Sequence, residues 1–127
     1  MPELRRPRHI ESVADLCEAA VELVREAGWA EHDVTRVALA IGEAVANAVE
    51  HGGGDEVLVE FDADARRLAV RVADGGPGLA PERLDRAALP DDPAATCGRG
   101  LFILQHVTDD VDVDASGALR FIIRPTG

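Results

Sequence analysis

Lysine is absent from this chain of 127 residues, because all 13 of its basic side chains are arginine. A phosphate-binding loop that depends on a lysine is therefore excluded, and so is a lysine that forms a Schiff base with a substrate. A nucleotide site in this chain would have to use backbone amides, arginine and a metal ion instead.

Cysteine and long apolar runs are also scarce. Cys17 and Cys97 are the two cysteines, and they lack metal-ligand spacing, so we interpret both as reduced thiols outside the chemistry. No apolar run approaches the length that spans a membrane, and the N-terminus lacks the apolar segment of a secretory signal. We expect a cytoplasmic protein without a membrane partner.

Acidic residues dominate the charge of the chain. The formal net charge is −11, and the sequence pI is about 4.6. Because such a protein repels phosphate backbones, nucleic acid is not an expected partner. The length and the apolar content of 46% are typical of one globular domain, spanning residues 1–127.

Apolar spacing predicts two amphipathic helices in the first half of the chain. In the first, over 10–27, apolar residues recur at intervals of three and four, and Gly28 stands at the C-cap. The second covers about 34–51, with Asp33 as its predicted N-cap. Residues 1–9 carry a small basic group of side chains, and either an edge strand or a frayed arm fits them.

Alternating apolar residues predict an antiparallel pair of strands, 56–62 and 68–72, and a final hairpin over 111–123. The second strand of the pair leads directly into Asp74. The long segment 79–97 is rich in proline and aspartate, which is typical of a lid or a disordered linker. A third helix follows, over 101–107.

The second helix carries a polar stripe at intervals of four residues, Glu43, Asn47 and His51. For a single helix, a solvated face is the simpler interpretation. The amide oxygen of Asn47 also suits Mg²⁺ held mainly by triphosphate and water, and Glu43 could activate a hydroxyl or water for attack on a phosphate. We interpret His51 as interacting with the helix dipole rather than as a ligand.

Two glycine clusters accompany this stripe. Ionised Asp74 only accepts hydrogen bonds, which suits the exocyclic amine of adenine, and Gly76 and Gly78 would let the backbone approach a planar ring. A simple turn is the alternative. The segment Gly98–Gly100 precedes a helix, which is typical of an anion site to which Arg99 adds a positive charge. The alternative there is a hinge.

Together these motifs resemble the GHKL ATPase superfamily, which includes DNA gyrase, histidine kinases and mismatch-repair ATPases. The resemblance extends over nearly the whole chain from Ile10 onward. It rests on the motifs E-x-x-x-N at Glu43 and Asn47, D-x-G-x-G at Asp74, Gly76 and Gly78, and G-x-G at Gly98 and Gly100. Segments 43–51 and 98–104 are most similar to bacterial anti-sigma-factor serine kinases.

The resemblance implies an α+β fold, a two-layer α/β sandwich of the Bergerat type. In that fold, helices cover one face of a mixed, mainly antiparallel sheet, and residues 79–97 form an ATP lid. It implies ATP and Mg²⁺ as cofactors, with Glu43 as the catalytic base, Asn47 on the metal and Asp74 on adenine. The implied nucleotide-binding set also contains Gly76, Gly78, Gly98, Arg99, Gly100 and Leu101.

The resemblance further implies a serine/threonine kinase that phosphorylates an anti-anti-sigma protein of the STAS type and sequesters a sigma factor. Transcription is then regulated by partner switching, and a homodimer is compatible with this scheme. An ATP-dependent binding module that sequesters a protein without phosphotransfer would need the same nucleotide contacts. An α/β domain without a nucleotide is the third alternative.

Overall fold

A computed structural model of the protein describes residues 3–75 and 96–126. Its three helices are α1 (Glu11–Glu26), α2 (Glu31–His51) and α3 (Thr96–Val107). Its five strands are β1 (Glu3–Pro7), β2 (Glu56–Ala63), β3 (Leu68–Ala73), β4 (Asp110–Val113) and β5 (Leu119–Ile123). None of the helices in these residues is long and apolar enough to cross a membrane.

The strands form one sheet in the order β1-β2-β3-β5-β4, and each neighbouring pair is antiparallel. The predicted α+β sandwich with a mainly antiparallel sheet is therefore confirmed, although the described strands include no parallel pair. The N-terminal residues form the edge strand β1, so the alternative of a frayed arm is wrong. The pairing of β1 with β2 joins Leu4 to Val59, which places an apolar residue of the edge on the core side.

One face of the sheet is covered by helices, and the core lies between these two layers. Alternate residues of β2, β3 and β5 are buried there because side chains in a strand point to opposite faces in turn. They pack against apolar residues of the helices, and each such side chain contributes about 1.5–3 kcal/mol when fully buried. The largest fully buried side chains are Phe61, Phe121, Leu16, Ile41, Leu68, Leu104 and Ile123.

Helix α1 ends as its sequence predicts. Gly28 has a φ of 89°, and its N–H donates to the Arg25 carbonyl at 3.0 Å. The Trp29 N–H donates to the Val24 carbonyl at 3.1 Å, which completes a Schellman motif. The glycine is needed here because other residues rarely adopt this left-handed conformation.

Helix α2 begins earlier than predicted, and the assignment of Asp33 as its N-cap is wrong. Ala30 occupies the N-cap with extended backbone angles and no capping side chain. Asp33 lies within the first turn and is fully buried, where it accepts hydrogen bonds from Arg36 and Thr126. Its carboxylate therefore accepts a hydrogen bond from the C-terminal segment of the chain, at Thr126, instead of capping the free amides at the start of the helix.

Helix α3 also begins earlier than predicted, at Thr96 instead of after Gly100. The last two residues of the predicted lid, 96 and 97, therefore belong to this helix. The remainder of the predicted lid, residues 79–95, lies outside the described residues. Helix α3 packs on α2, so the two helices that carry sequence motifs are neighbours.

Candidate functional site

Helix α2 presents Glu43 and Asn47 one turn apart, as their spacing predicts. Both side chains are half-buried, whereas Ala44 and Ala48 of the same helix are buried in the core. The two polar residues therefore lie at the border between the packed side of α2 and the solvent. A half-buried position lets a side chain hold a ligand while neighbouring apolar residues limit the access of water.

Asn47 and Asp74 line the same small cavity, although they are distant in sequence. Its volume is about 20 Å³, enough for about one water molecule. The remaining walls are apolar or small residues of α2, β3 and the β4–β5 hairpin, namely Ala44, Ala48, Val72, Gly117 and Leu119. Glu43 is not among the lining residues. The structure thus joins two of the three motif residues whose side chains it describes, while the third, Glu43, stands one helical turn from Asn47.

The glycines after α2 make this convergence sterically feasible. Gly52 ends the helix with its N–H donating to the Ala48 carbonyl at 2.8 Å, and its backbone angles are extended rather than left-handed. A Cβ on Gly52 would stand 2.8 Å from the Cβ of Asp74. A Cβ on Gly54 would clash with the Asp74 carbonyl oxygen and lie 3.0 Å from the Cα of Gly75.

The contact of this glycine run with Asp74 was not predicted from the sequence. The glycines also bring the end of α2 against the end of β3, at a distance that a larger residue would forbid. The signal for this close approach was the run of three glycines. One glycine suffices to end a helix, so the other two indicate a second reason for small residues. Arg8 was likewise missed, and its side chain contacts the same junction.

The remaining predicted residues lie partly or wholly outside the described set. Gly76 and Gly78 fall between residues 75 and 96. For the segment Gly98–Leu101 the structure describes the backbone, which is helical. The glycine pair therefore lies inside the first turns of α3 and not before it. In a helix that begins at Thr96, the Gly100 N–H donates to the Thr96 carbonyl, so this amide is not available to an anion.

A metal ion at this site would depend on the nucleotide for most of its ligands. Among residues 3–75 and 96–126, no group of three or more His, Cys, Asp and Glu side chains could hold a metal. Asn47 offers one neutral amide oxygen, a hard donor that Mg²⁺ accepts together with water and phosphate oxygens. The donor set therefore fits a magnesium–nucleotide complex better than a bare ion.

A larger groove of about 590 Å³ lies on the face of the sheet that the helices leave open. Both arginines that line this groove form ion pairs with carboxylates on neighbouring strands or on the β4–β5 hairpin. Arg71 contacts Glu60 at 3.1 Å and Asp114 at 2.8 Å, and Arg120 contacts Asp112 at 2.8 Å. None of the motif residues that the structure describes lines this groove, so its size does not connect it with the predicted chemistry.

Residues 7–123 match the family model described as the histidine kinase-like ATPase domain. Curated relatives include the serine-protein kinase RsbW of Bacillus thuringiensis (strain Al Hakam), which is 27% identical over 120 residues. That alignment covers 87% of this chain and 75% of the relative. The protein of the same name from Bacillus velezensis is 29% identical over 102 residues, covering 72% of this chain and 64% of the relative.

Proposed function

The chain belongs to the histidine kinase-like ATPase domain family, and on this premise we propose that it is an ATP-dependent protein serine/threonine kinase that also acts as an anti-sigma factor. The observation that carries the proposal is the cavity shared by Asn47 and Asp74, with Glu43 one turn away on α2. Relatives named as serine-protein kinases, at 27–29% identity, support the same class of activity.

In this proposal the adenine amine donates to the carboxylate of Asp74, which is half-buried at the end of β3. Because the cavity holds about one water molecule, the ring lies at its mouth and not inside it. The apolar residues Val72 and Leu119 also line this cavity. Gly76 and Gly78, which follow Asp74 in the chain, are assigned to the same end of the nucleotide.

The phosphates extend from there toward Asn47 and the start of α3. Asn47 would hold Mg²⁺ through its amide oxygen, and the bound ion would neutralise charge on the phosphates. The free amides at the start of α3 and the dipole of that helix favour an anion. We assign Gly98, Arg99, Gly100 and Leu101 to this phosphate end.

Glu43 is the proposed catalytic base. Its carboxylate accepts the proton of a substrate hydroxyl as the hydroxyl oxygen attacks the γ-phosphorus of ATP, and ADP leaves. The products are ADP and a phosphoserine or phosphothreonine. We propose an anti-anti-sigma protein of the STAS type as the substrate and a sigma factor as the sequestered partner. A homodimer is compatible with this scheme.

One observation favours a second candidate. Glu43 does not line the cavity that Asn47 and Asp74 share, so the nucleotide contacts do not by themselves require a base. A module that holds ATP to shape a partner-binding surface, and sequesters that partner without phosphotransfer, would use the same two residues. The two candidates differ in whether a phosphate leaves ATP.

The deciding experiment follows labelled γ-phosphate from ATP into proteins of a lysate of the source cell. We expect a small protein to acquire phosphoserine or phosphothreonine with the wild type and with Glu18→Ala, an exposed glutamate of α1. With Glu43→Ala the label should be lost. Transfer that survives Glu43→Ala would show that the base is wrongly assigned.

Calorimetry with Mg·ATP separates the remaining outcomes. We expect binding by the wild type and weaker binding by Asp74→Asn, because the amide oxygen is neutral and accepts a weaker hydrogen bond than the ionised carboxylate. Binding without any labelled product supports the module that sequesters its partner. If the wild type binds no ATP, both candidates are refuted.

A further inference from the structure

Arg8 joins the N-terminal edge of the sheet to the end of α2. Its guanidinium donates from Nε to the Gly54 carbonyl at 2.5 Å and from Nη1 to the Val49 carbonyl at 2.7 Å. Its backbone N–H donates to the Asp55 carbonyl at 2.8 Å. Arg8 therefore contacts both the last turn of α2, at Val49, and the turn formed by residues 52–55, at Gly54 and Asp55.

The same turn lies directly against Asp74. Arg8 Cδ and Asp74 Cβ approach the same face of Gly52, at 3.0 Å and 2.8 Å from where a Cβ would stand on that glycine. Gly54, whose carbonyl accepts from Arg8, packs on the backbone of Asp74 and Gly75. A movement of the turn would therefore move the backbone that carries the Asp74 carboxylate.

We propose that Arg8 is a positioning residue for recognition of the nucleotide base, which rests on the proposed role of Asp74 in reading adenine. Arg8 holds the 52–55 turn against the end of β3. Because this turn packs on the backbone of Asp74, it fixes the direction of the Asp74 carboxylate. The side chain of Arg8 donates its hydrogen bonds to carbonyl groups of the chain. Arg8 therefore affects nucleotide binding through the position of Asp74 and not by contact with the base.

Arginine suits this position for two reasons. Its planar guanidinium presents several N–H donors in a fixed arrangement, so a single side chain reaches two carbonyls at once. Its positive charge also lies at the C-terminus of α2, where the dipole of the helix favours a cation. Lysine would keep the charge but has a single nitrogen, and it should hold one of the two carbonyls well.

The test measures dissociation constants for Mg·ATP and Mg·GTP with the wild type, Arg8→Ala, Arg8→Lys and Arg6→Ala. Guanine places a carbonyl oxygen where adenine has its amine. The ratio of the dissociation constant for GTP to that for ATP therefore reports how well the Asp74 carboxylate is positioned to accept from adenine. We expect Arg8→Ala to lower this ratio about three- to tenfold and Arg8→Lys to lower it less. Arg6 lies in β1, two residues before Arg8, and contacts Asp15, so Arg6→Ala should leave the ratio unchanged.

Each outcome bears on one claim. If Arg8→Ala weakens both nucleotides by the same factor, Arg8 is only structural and the inference is overturned. If the wild type itself does not prefer ATP, the adenine-reading role of Asp74 fails first, and the inference falls with it. Amide hydrogen exchange of the nucleotide-free variants gives a separate check. It should accelerate at residues 52–55 and 74–75 in Arg8→Ala and not in Arg6→Ala, and unchanged exchange would also overturn the inference.

Discussion

Replacing Asp33 with asparagine should destabilise the protein strongly at neutral pH, because this carboxylate links three parts of the fold. Its side chain is fully buried and accepts hydrogen bonds from Arg36 Nη1 and from the Thr126 backbone N–H, both at 3.0 Å. Arg36 also donates to the carbonyls of Arg124 at 2.9 Å and Val107 at 3.0 Å. The pair therefore ties the start of α2 to the end of α3 and to the chain after β5.

The size of the effect follows from what asparagine keeps and what it loses. An amide has the same shape and one acceptor oxygen, so the bond from Thr126 can persist, but the negative charge opposite Arg36 is lost. Removing one partner of a fully buried ion pair costs about 3–5 kcal/mol. Arg36 is 24% exposed and keeps its two carbonyl partners, so we expect a loss below this range, of about 2 kcal/mol. This is a large share of a domain stability of about 5–15 kcal/mol.

The loss should depend on pH in a defined direction. Burial by itself raises the pKa of Asp33, but hydrogen bonds from Arg36 and Thr126 outweigh it and hold the pKa below its ordinary value of 3.8. A carboxyl whose pKa is lower in the folded state contributes stability above the unfolded pKa, and that contribution disappears as the pH falls through the folded pKa. The wild type and Asp33→Asn should therefore differ fully at pH 7 and converge in strong acid.

Urea unfolding at several pH values measures this difference. Trp29 is the single tryptophan and is 6% exposed, so its fluorescence reports the unfolding transition. Asp62→Asn, at an exposed position of β2, is the matched control that removes one charge without a buried partner. The reasoning is refuted if Asp33→Asn costs no more than Asp62→Asn at pH 7, or if the gap to the wild type widens in acid.

Two further predictions concern backbone conformation and a second carboxylate. Gly28→Ala should cost about 1 kcal/mol, because its φ is 89° and no atom of the described residues, apart from its chain neighbours, lies within 4 Å of the new methyl group, so backbone strain dominates. Gly42→Ala, inside α2 with 3.6 Å to the Cys17 sulfur, should instead stabilise by up to about 1 kcal/mol. Urea midpoints that shift the same way for both would contradict this. Asp114 accepts from Ser116 and Arg71, which hold its pKa far below the usual range. Asp114→Asn should lower the stability by about 2 kcal/mol at pH 7, with the gap to wild type closing only in strong acid, and unchanged thermal unfolding at pH 7 would contradict it.

Local patterns in the sequence predicted the secondary structure where each element depends on its own residues. The period of apolar positions identified α1 and both strands of the first hairpin, and Gly28 marked the end of α1 because a left-handed C-cap is a local requirement. Asp33 was misassigned as an N-cap because its partners, Arg36 and Thr126, include a residue at the other end of the chain. No local pattern signals such a contact.

The candidate site divides in the same way. The sequence by itself determined that Glu43 and Asn47 share one face of α2 and that Asp74 ends a strand, because both follow from the geometry of a single element. The roles of these residues stay predictions until nucleotide binding is measured. Glycine-rich motifs also indicated the family, which the match over residues 7–123 confirms.

Only the tertiary structure decided that Asn47 and Asp74 line one cavity. The same holds for the close packing of Gly52 and Gly54 on the end of β3. It also holds for the hydrogen bonds by which Arg8 fixes the 52–55 turn. These contacts depend on how α2 lies across the sheet and on the register of β1, β2 and β3. Register and packing are set by all the buried side chains together, so a short stretch of sequence specifies which face is buried but not which distant residue that face meets.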